Sequence, residues 1–257
     1  VGPGLAVAFL LMRKRRRRAA GRSPIAKDLL RGAGHSLREQ LEEAGSDLSW
    51  QILMLAVVPV FAIALYLAQQ QAIRAPLGVA PIYTLAVLAF LAFSIRKLLR
   101  LGHQLDNLRA GYDAELAVGQ ELDQLMRQGA GVFHDFPAEN FNIDHVVISH
   151  AGVFAVETKG YTKPGSITGR AGSTVYFDGK VLKFPTWSGM EPLDQADRQA
   201  QWLAKWASSA VGETVDVVPV LALPGWWVER TQRGPVRVIS GGEATKLLDA
   251  GNAKSIS

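Results

Sequence analysis

Asp144, Glu157 and Lys159 are the formally charged residues of an otherwise apolar stretch, Asn142-Ile-Asp-His-Val-Val-Ile-Ser-His-Ala-Gly-Val-Phe-Ala-Val-Glu-Thr-Lys159. It reads as two short strands joined at Ala151-Gly152. Strand side chains alternate, so Asp144, Val146 and Ile148 share one face, and Val153, Ala155, Glu157 and Lys159 share one face of the partner. With Ser149 to Gly152 as a four-residue loop, Ile148 opposes Val153 and Asp144 falls opposite Glu157. Like charges set across a ladder are destabilising, and a cation is the remedy. Lys159 lies two residues on, on that same face. The competing interpretation is an exposed sheet face with solvated charges, against which stand the strongly apolar neighbours.

Other elements must bring partners to this hairpin. From Leu98 the spacing predicts an amphipathic helix with Leu101, Leu105, Leu108, Tyr112, Gly119, Leu122 and Met126 on one stripe. Glu115 falls on that stripe, and a carboxylate on an apolar helix face needs a partner. Gly129-Ala-Gly131 ends the helix, and Val132 to Phe136 reads as a strand. Ser166 to Arg170 and Thr174 to Phe184 read as further strands, the second turning at Asp178-Gly179. Asp194 to Ser208 is helical, with Gln195, Gln199, Trp202 and Trp206 on a common side. Val215 to Leu223 and Val236 to Ser240 are strands, and Glu243 to Leu248 a short closing helix. Gly225-Trp226-Trp227 is either strand-end packing or a stacking platform.

Composition narrows the chemistry. The chain has 257 residues with Lys+Arg 28 against Asp+Glu 23, and no cysteine, so disulfides and thiolate metal sites are excluded. Its histidines 145 and 150 fit no metal pair, and His145 should face away from Asp144, which gives both structural roles. There is no Ser, His and Asp set for a hydrolase triad and no P-loop pattern. Lys163, Arg170, Lys180 and Lys183 form either a solvated face or a phosphate track.

The first half of the chain has a different character. Val1 to Met12 is apolar and precedes the run Arg13 to Arg18, the reverse of a secretory signal. It is too short to cross a bilayer of about 30 Å, so it reads as a shallow anchor or the end of a membrane helix. Ser23-Pro24 and Ser36 look like helix starts, the latter as a capping box with Glu39. Ile52 to Ala68 and Leu77 to Ile95 are uncharged apolar runs, each long enough to span a membrane. Basic residues gather outside this hairpin, at Arg13 to Arg18 and at Arg96, Lys97 and Arg100, which predicts cytoplasmic flanks. The expected organisation is a membrane-proximal basic and helical segment over 1–49, a transmembrane hairpin over 50–97, and a cytoplasmic domain over 98–257. That makes a multi-pass protein of the cell membrane. The leucine stripe from Leu98 to Leu108 could also pair helices between subunits of a homo-oligomer.

Taken in order, Glu115 on a helix, Asp144 and Glu157-Thr158-Lys159 on a strand hairpin, and Gln195 on a later helix resemble the PD-(D/E)xK nuclease superfamily. Within it the chain is similar to the nuclease-related domain, or NERD, family. Asn142-Ile-Asp-His-Val-Val-Ile-Ser and Gly152-Val-Phe-Ala-Val-Glu-Thr-Lys-Gly160 look like its central motifs. Gly111-Tyr-Asp-Ala-Glu115 resembles its upstream motif with Ala114 where glycine is usual, and Glu191-Pro-Leu-Asp-Gln195 its Asn-Pro-x-x-Gln element with Glu191 in place of Asn. The resemblance covers roughly Gly111 to Gly225. It implies an α/β, restriction-endonuclease-like fold, a central mixed sheet flanked by helices and here preceded by transmembrane helices. It also implies metal-dependent hydrolysis of phosphodiester bonds, with DNA the expected polymer and RNA the other.

Asp144 and Glu157 are hard oxygen ligands suited to Mg²⁺ or Mn²⁺, and the backbone carbonyl of Thr158 could complete the set. Lys159 would orient a water or offset charge growing on the phosphate. Glu115 would be a direct or water-mediated ligand, and Gln195, with Gln199 as its rival, would position Lys159 or a phosphate. The other class of function is a catalytically silent module, a membrane-tethered scaffold binding nucleic acid or protein.

Overall fold

The computed structural model describes residues 30–73 and 80–248, which from Arg31 onward fall in one compact unit. Val1 to Met12, the basic run Arg13 to Arg18, the start at Ser23-Pro24 and residues 74–79 lie outside the described residues.

Two long helices, α1 (His35–Ile73) and α2 (Ala80–Asp123), carry the apolar runs. Both are long and apolar enough to cross a membrane, with 6% of the most apolar window of each buried within the chain. Phe61, Leu85 and Phe93 are among the side chains pointing outward. Pro59 lies inside α1. Near Ile73 and Ala80 the helices meet through polar and aromatic contacts: the Tyr66 and Tyr83 rings lie 5.5 Å apart, and the Tyr83 hydroxyl donates to Gln69 Oε1 at 2.8 Å. Neither helix breaks at residue 49 or 97, so the apolar parts run into the domain as continuous helix.

Helix α2 enters the domain on the stripe expected for it. Leu101, Leu105, Val118 and Leu122 are buried, and Leu98 and Leu108 are half-buried. The stripe does not extend to Met126, which is 49% exposed while Leu125 is fully buried. The reason is a change of helix: Gln124–Gln128 tightens to a 3-10 turn, whose shorter repeat brings Leu125 inward before Gly129 caps it at φ 84°.

The central sheet has the order β1-β2-β3-β7-β9, where β1 is Gly131–Pro137, β2 Asn142–Ser149, β3 Gly152–Thr158, β7 Val217–Leu223 and β9 Arg237–Ser240. β1, β2 and β3 pair antiparallel; β7 and β9 add in parallel. β3 is buried at every residue, as a central strand covered on both faces must be. One face packs Val147, Phe154 and Val156 against α2 and the closing 3-10 helix Gly241–Leu248. The other packs Val146, Val153 and Ala155 against Ala200 and Leu203 of α3 (Glu191–Val211). A smaller sheet, in the order β6-β5-β4-β8, is made of β4 Thr174–Phe177, β5 Leu182–Lys183, β6 Ser188–Gly189 and β8 Trp227–Arg230.

Three local expectations are corrected. The β2–β3 hairpin turns on His150 and Ala151, because Ser149 and Gly152 are themselves paired; the register, Ile148 opposite Val153, is the expected one. Ser166 to Arg170 is not a strand. Gly169 is left-handed at φ 73°, and a Cβ on Gly172 would stand 2.0 Å from the Ile167 carbonyl oxygen, so the chain folds back on itself there. Ser36 does not cap α1, which begins one residue earlier, and its hydroxyl is used elsewhere.

Candidate active site

Hairpin register places Asp144 and Glu157 on the α3 side of the sheet, and α3 answers with two glutamines one turn apart. Lys159 Nζ lies 2.8 Å from Glu157 Oε1 and donates to Gln195 Oε1 at 2.8 Å. Gln199 Nε2 donates to Glu157 Oε2 at 2.6 Å. Both oxygens of the Glu157 carboxylate, which is buried, are therefore engaged. Asp144 Oδ2 accepts from the Thr158 backbone N–H at 2.7 Å, which fixes it against the end of β3. So Gln195 meets Lys159 while Gln199 meets Glu157; helix spacing alone leaves these two as rivals for one place.

Glu115 reaches the same region from α2. Burial first, then the charges of Asp135 and Glu157, push its carboxyl up to about 7, against the pull of Lys159 and the Gly34 backbone N–H. Burial likewise raises the Asp144 carboxyl well above the carboxylate range, with Glu157 and Glu115 adding to it. For Lys159 burial works against the charge, but Glu157 and Asp144 outweigh it and hold the ammonium above its ordinary value. Lys159 thus opposes the rise of both carboxyls without cancelling it. The close approach of α2 depends on Gly160: a Cβ there would come within 2.5 Å of the Ala110 carbonyl oxygen and 2.7 Å of Ala114 Cβ. Ala114, which stands where glycine is usual, is thus accommodated by the glycine it faces.

A further carboxylate is one that sequence reasoning missed. Register sets Asp135 across from Asp144, between the pairs His134 with His145 and Phe136 with Ile143. Its left-handed φ of 47° takes it out of the ladder. Its buried carboxylate instead accepts from Arg31 Nη1 at 3.0 Å and from the Ser36 hydroxyl at 2.9 Å. Asn142 Nδ2 donates to Ser36 Oγ at 2.6 Å. Gly34, at φ 70°, lies flat on Tyr112, where a Cβ would come within 2.7 Å of the ring. The segment that starts α1 thus lies directly against the carboxylates. The available signal was an acidic residue facing Asp144 across β1. Removing the guanidinium with Arg31→Ala leaves the Asp135 charge buried and half-partnered, and should cost about 2 kcal/mol in urea unfolding, less than for a fully buried pair because Arg31 is 39% exposed.

His145 faces away from Asp144, as the alternation requires. It is fully buried against His134, Nδ1 to Nδ1 at 2.8 Å, and His134 Nε2 meets Asp123 Oδ1 at 2.9 Å. Burial holds its imidazole down to about 3, which keeps it neutral. His150 is exposed in the hairpin turn.

The donor set suits a hard divalent cation in kind, and the carboxyls raised by burial and by one another suit it in charge. As the side chains stand, no group of three His, Asp or Glu among the described residues is close enough to hold an ion. Asp144, Glu157 and the Thr158 carbonyl are what β2 and β3 offer, with Glu115 approaching from outside the sheet.

Residues 110–224 match the family model described as the nuclease-related domain, NERD. No curated protein and no solved structure matches the chain.

Proposed function

With residues 110–224 belonging to the nuclease-related domain family, we propose that the chain is a membrane-anchored, divalent-metal-dependent nuclease that hydrolyses phosphodiester bonds of DNA. Its C-terminal part faces the cytoplasm. The observation that carries this reading is the gathering of Asp144, Glu157 and Glu115 at one end of the sheet around the single ammonium of Lys159, with the Asp144 and Glu115 carboxyls raised by burial and then by their neighbours.

Asp144, Glu157, Glu115 and the Thr158 carbonyl would hold Mg²⁺ or Mn²⁺, whose chemistry when bound is to polarise a phosphoryl oxygen and acidify a water. Lys159 keeps its proton, since the carboxylates hold it above the ordinary lysine value, so it serves as a fixed cation rather than a base. In that role it offsets charge growing on the phosphate or orients the attacking water. Gln195 accepts from Lys159 and aims it; Gln199 fixes the Glu157 carboxylate from behind. Anchoring rests on the outward apolar side chains of α1 and α2, and orientation on Arg96, Lys97 and Arg100 at the domain end of the apolar run.

The engagement of both Glu157 oxygens favours a second reading, a tethered module that binds nucleic acid or protein without cutting it. The two separate when the full chain in detergent is given plasmid, linear DNA and RNA with Mg²⁺, Mn²⁺ or a chelator. Cleavage of DNA that vanishes with chelator is the expected result. Binding with no product in either metal overturns the hydrolytic reading.

A further inference from the structure

Helix α3 does not stop at the carboxylates. Gln195, Gln199, Trp202 and Trp206 follow one another at spacings of four, three and four, so they form a single stripe along it. Its first half touches Lys159 and Glu157. Its second half is aromatic: the Trp202 and Trp206 rings are nearly parallel at 13° and 6.3 Å apart. The β1–β2 hairpin supplies edge-on neighbours, Phe136 at 5.2 Å from Trp206 and Phe141 at 5.5 Å from Trp202. Trp206 is 48% exposed and Phe141 37%, so ring surface faces solvent. Gln199 ties the two halves together, bonding Glu157 on one side and the Asn142 carbonyl, beside Phe141, on the other.

Charge runs along the outer edge of this stripe. Arg198 and Lys205, seven residues apart and so about 10 Å along the axis, lie on the solvent side of the tryptophans. Both are exposed and neither is ion-paired with a described residue. Open aromatic rings bordered by basic side chains suit a polymer that offers flat bases on one side and phosphates on the other. A duplex keeps its bases stacked inside and has no ring to offer.

We propose that the Trp202–Trp206 stripe, with Phe141, is a stacking platform for single-stranded nucleic acid, which carries bases away from the carboxylate site while Arg198 and Lys205 follow the backbone. The proposal rests on the nuclease reading for the direction of the strand, but binding can be measured without catalysis. The full chain in detergent, with chelator present, is titrated into a labelled oligothymidylate and into a duplex of equal length, and anisotropy is read. Trp206→Ala should weaken single-strand binding about tenfold, the usual worth of one stacked base, with little change for duplex. Trp206→Phe should recover most of it. Lys205→Ala should weaken binding further at low salt and flatten its salt dependence.

Equal single-strand affinity in Trp206→Ala and the parent, an equal loss for duplex, or no single-strand binding by the parent would each overturn the platform. Affinity of this stripe for lipid vesicles instead of oligonucleotide would also overturn it and assign the tryptophans to the membrane surface. Because no cleavage is read, a chain that binds through Trp206 but never cuts would sink the hydrolytic reading and leave this one standing.

Discussion

Asp144→Asn and Glu157→Ala are each expected to reduce metal-dependent cleavage by at least about a thousandfold, the scale of losing the groups that place a catalytic ion, yet to move stability in opposite directions. In Asp144→Asn the side-chain amide oxygen still accepts from the Thr158 N–H, while a half-buried carboxyl whose ionisation is opposed by burial and by Glu157 and Glu115 is gone, so the metal-free chain should melt higher. Glu157→Ala leaves Gln199 Nε2 with only the longer bond to the Asn142 carbonyl, and Lys159 with Gln195 but without its ion pair, so that variant should lose about 2–3 kcal/mol. Cleavage gels and thermal unfolding of both variants check this. Undiminished cleavage by Asp144→Asn would remove that residue from the site, and a destabilised Asp144→Asn would contradict the electrostatic account.

The second large effect concerns pH. Glu115 holds its proton in the folded chain up to about 7, whereas an unfolded glutamate releases it near 4.5. Between those values the folded state binds more protons, so this group's contribution to stability falls as pH rises and levels off above about 7. Asp144 acts in the same direction. His145 acts in the opposite one: its folded value near 3 against 6.5 unfolded makes its contribution rise with pH through that window. The two are separated by taking the difference between the parent and Glu115→Gln, which lacks only the first. The variant should match the parent near pH 4.5 and exceed it by about 2 kcal/mol at pH 8, after discounting for the partial exposure of Glu115. Mg²⁺ or Mn²⁺ should narrow that gap at pH 8 by stabilising the parent. A difference that is flat across this range would show that Glu115 titrates as an ordinary surface glutamate.

The first effect follows from charge placed by a short hairpin, and that hairpin is legible from residue types alone. Alternation over Asn142 to Lys159 dictates which side chains share a face, and a slip of one residue would send Asp144 to the face opposite Glu157. The same logic sends His145 to the opposite face. Local signals fail where the backbone departs from its regular period. Apolar spacing puts Met126 on the buried stripe because the tightening at Gln124 leaves no mark in it, and Ser166 to Arg170 reads as extended although the close approach at Gly172 precludes it.

What the amino-acid order determined by itself was the chemistry on offer: hard carboxylate oxygens and one lysine on neighbouring strands, a glutamate on an apolar helix face, and two runs long and apolar enough to cross a membrane. Those features are encoded over a few residues, within reach of strand and helix periodicity. The tertiary structure alone decided the division of labour between Gln195 and Gln199, the retreat of Asp135 from the ladder, and the lodging of Arg31, Gly34 and Ser36 against the acidic cluster. Asp135 and its partners are separated by about a hundred positions in the chain. No local pattern records which distant donor will neutralise a buried charge, because that choice is made by packing after the elements have formed.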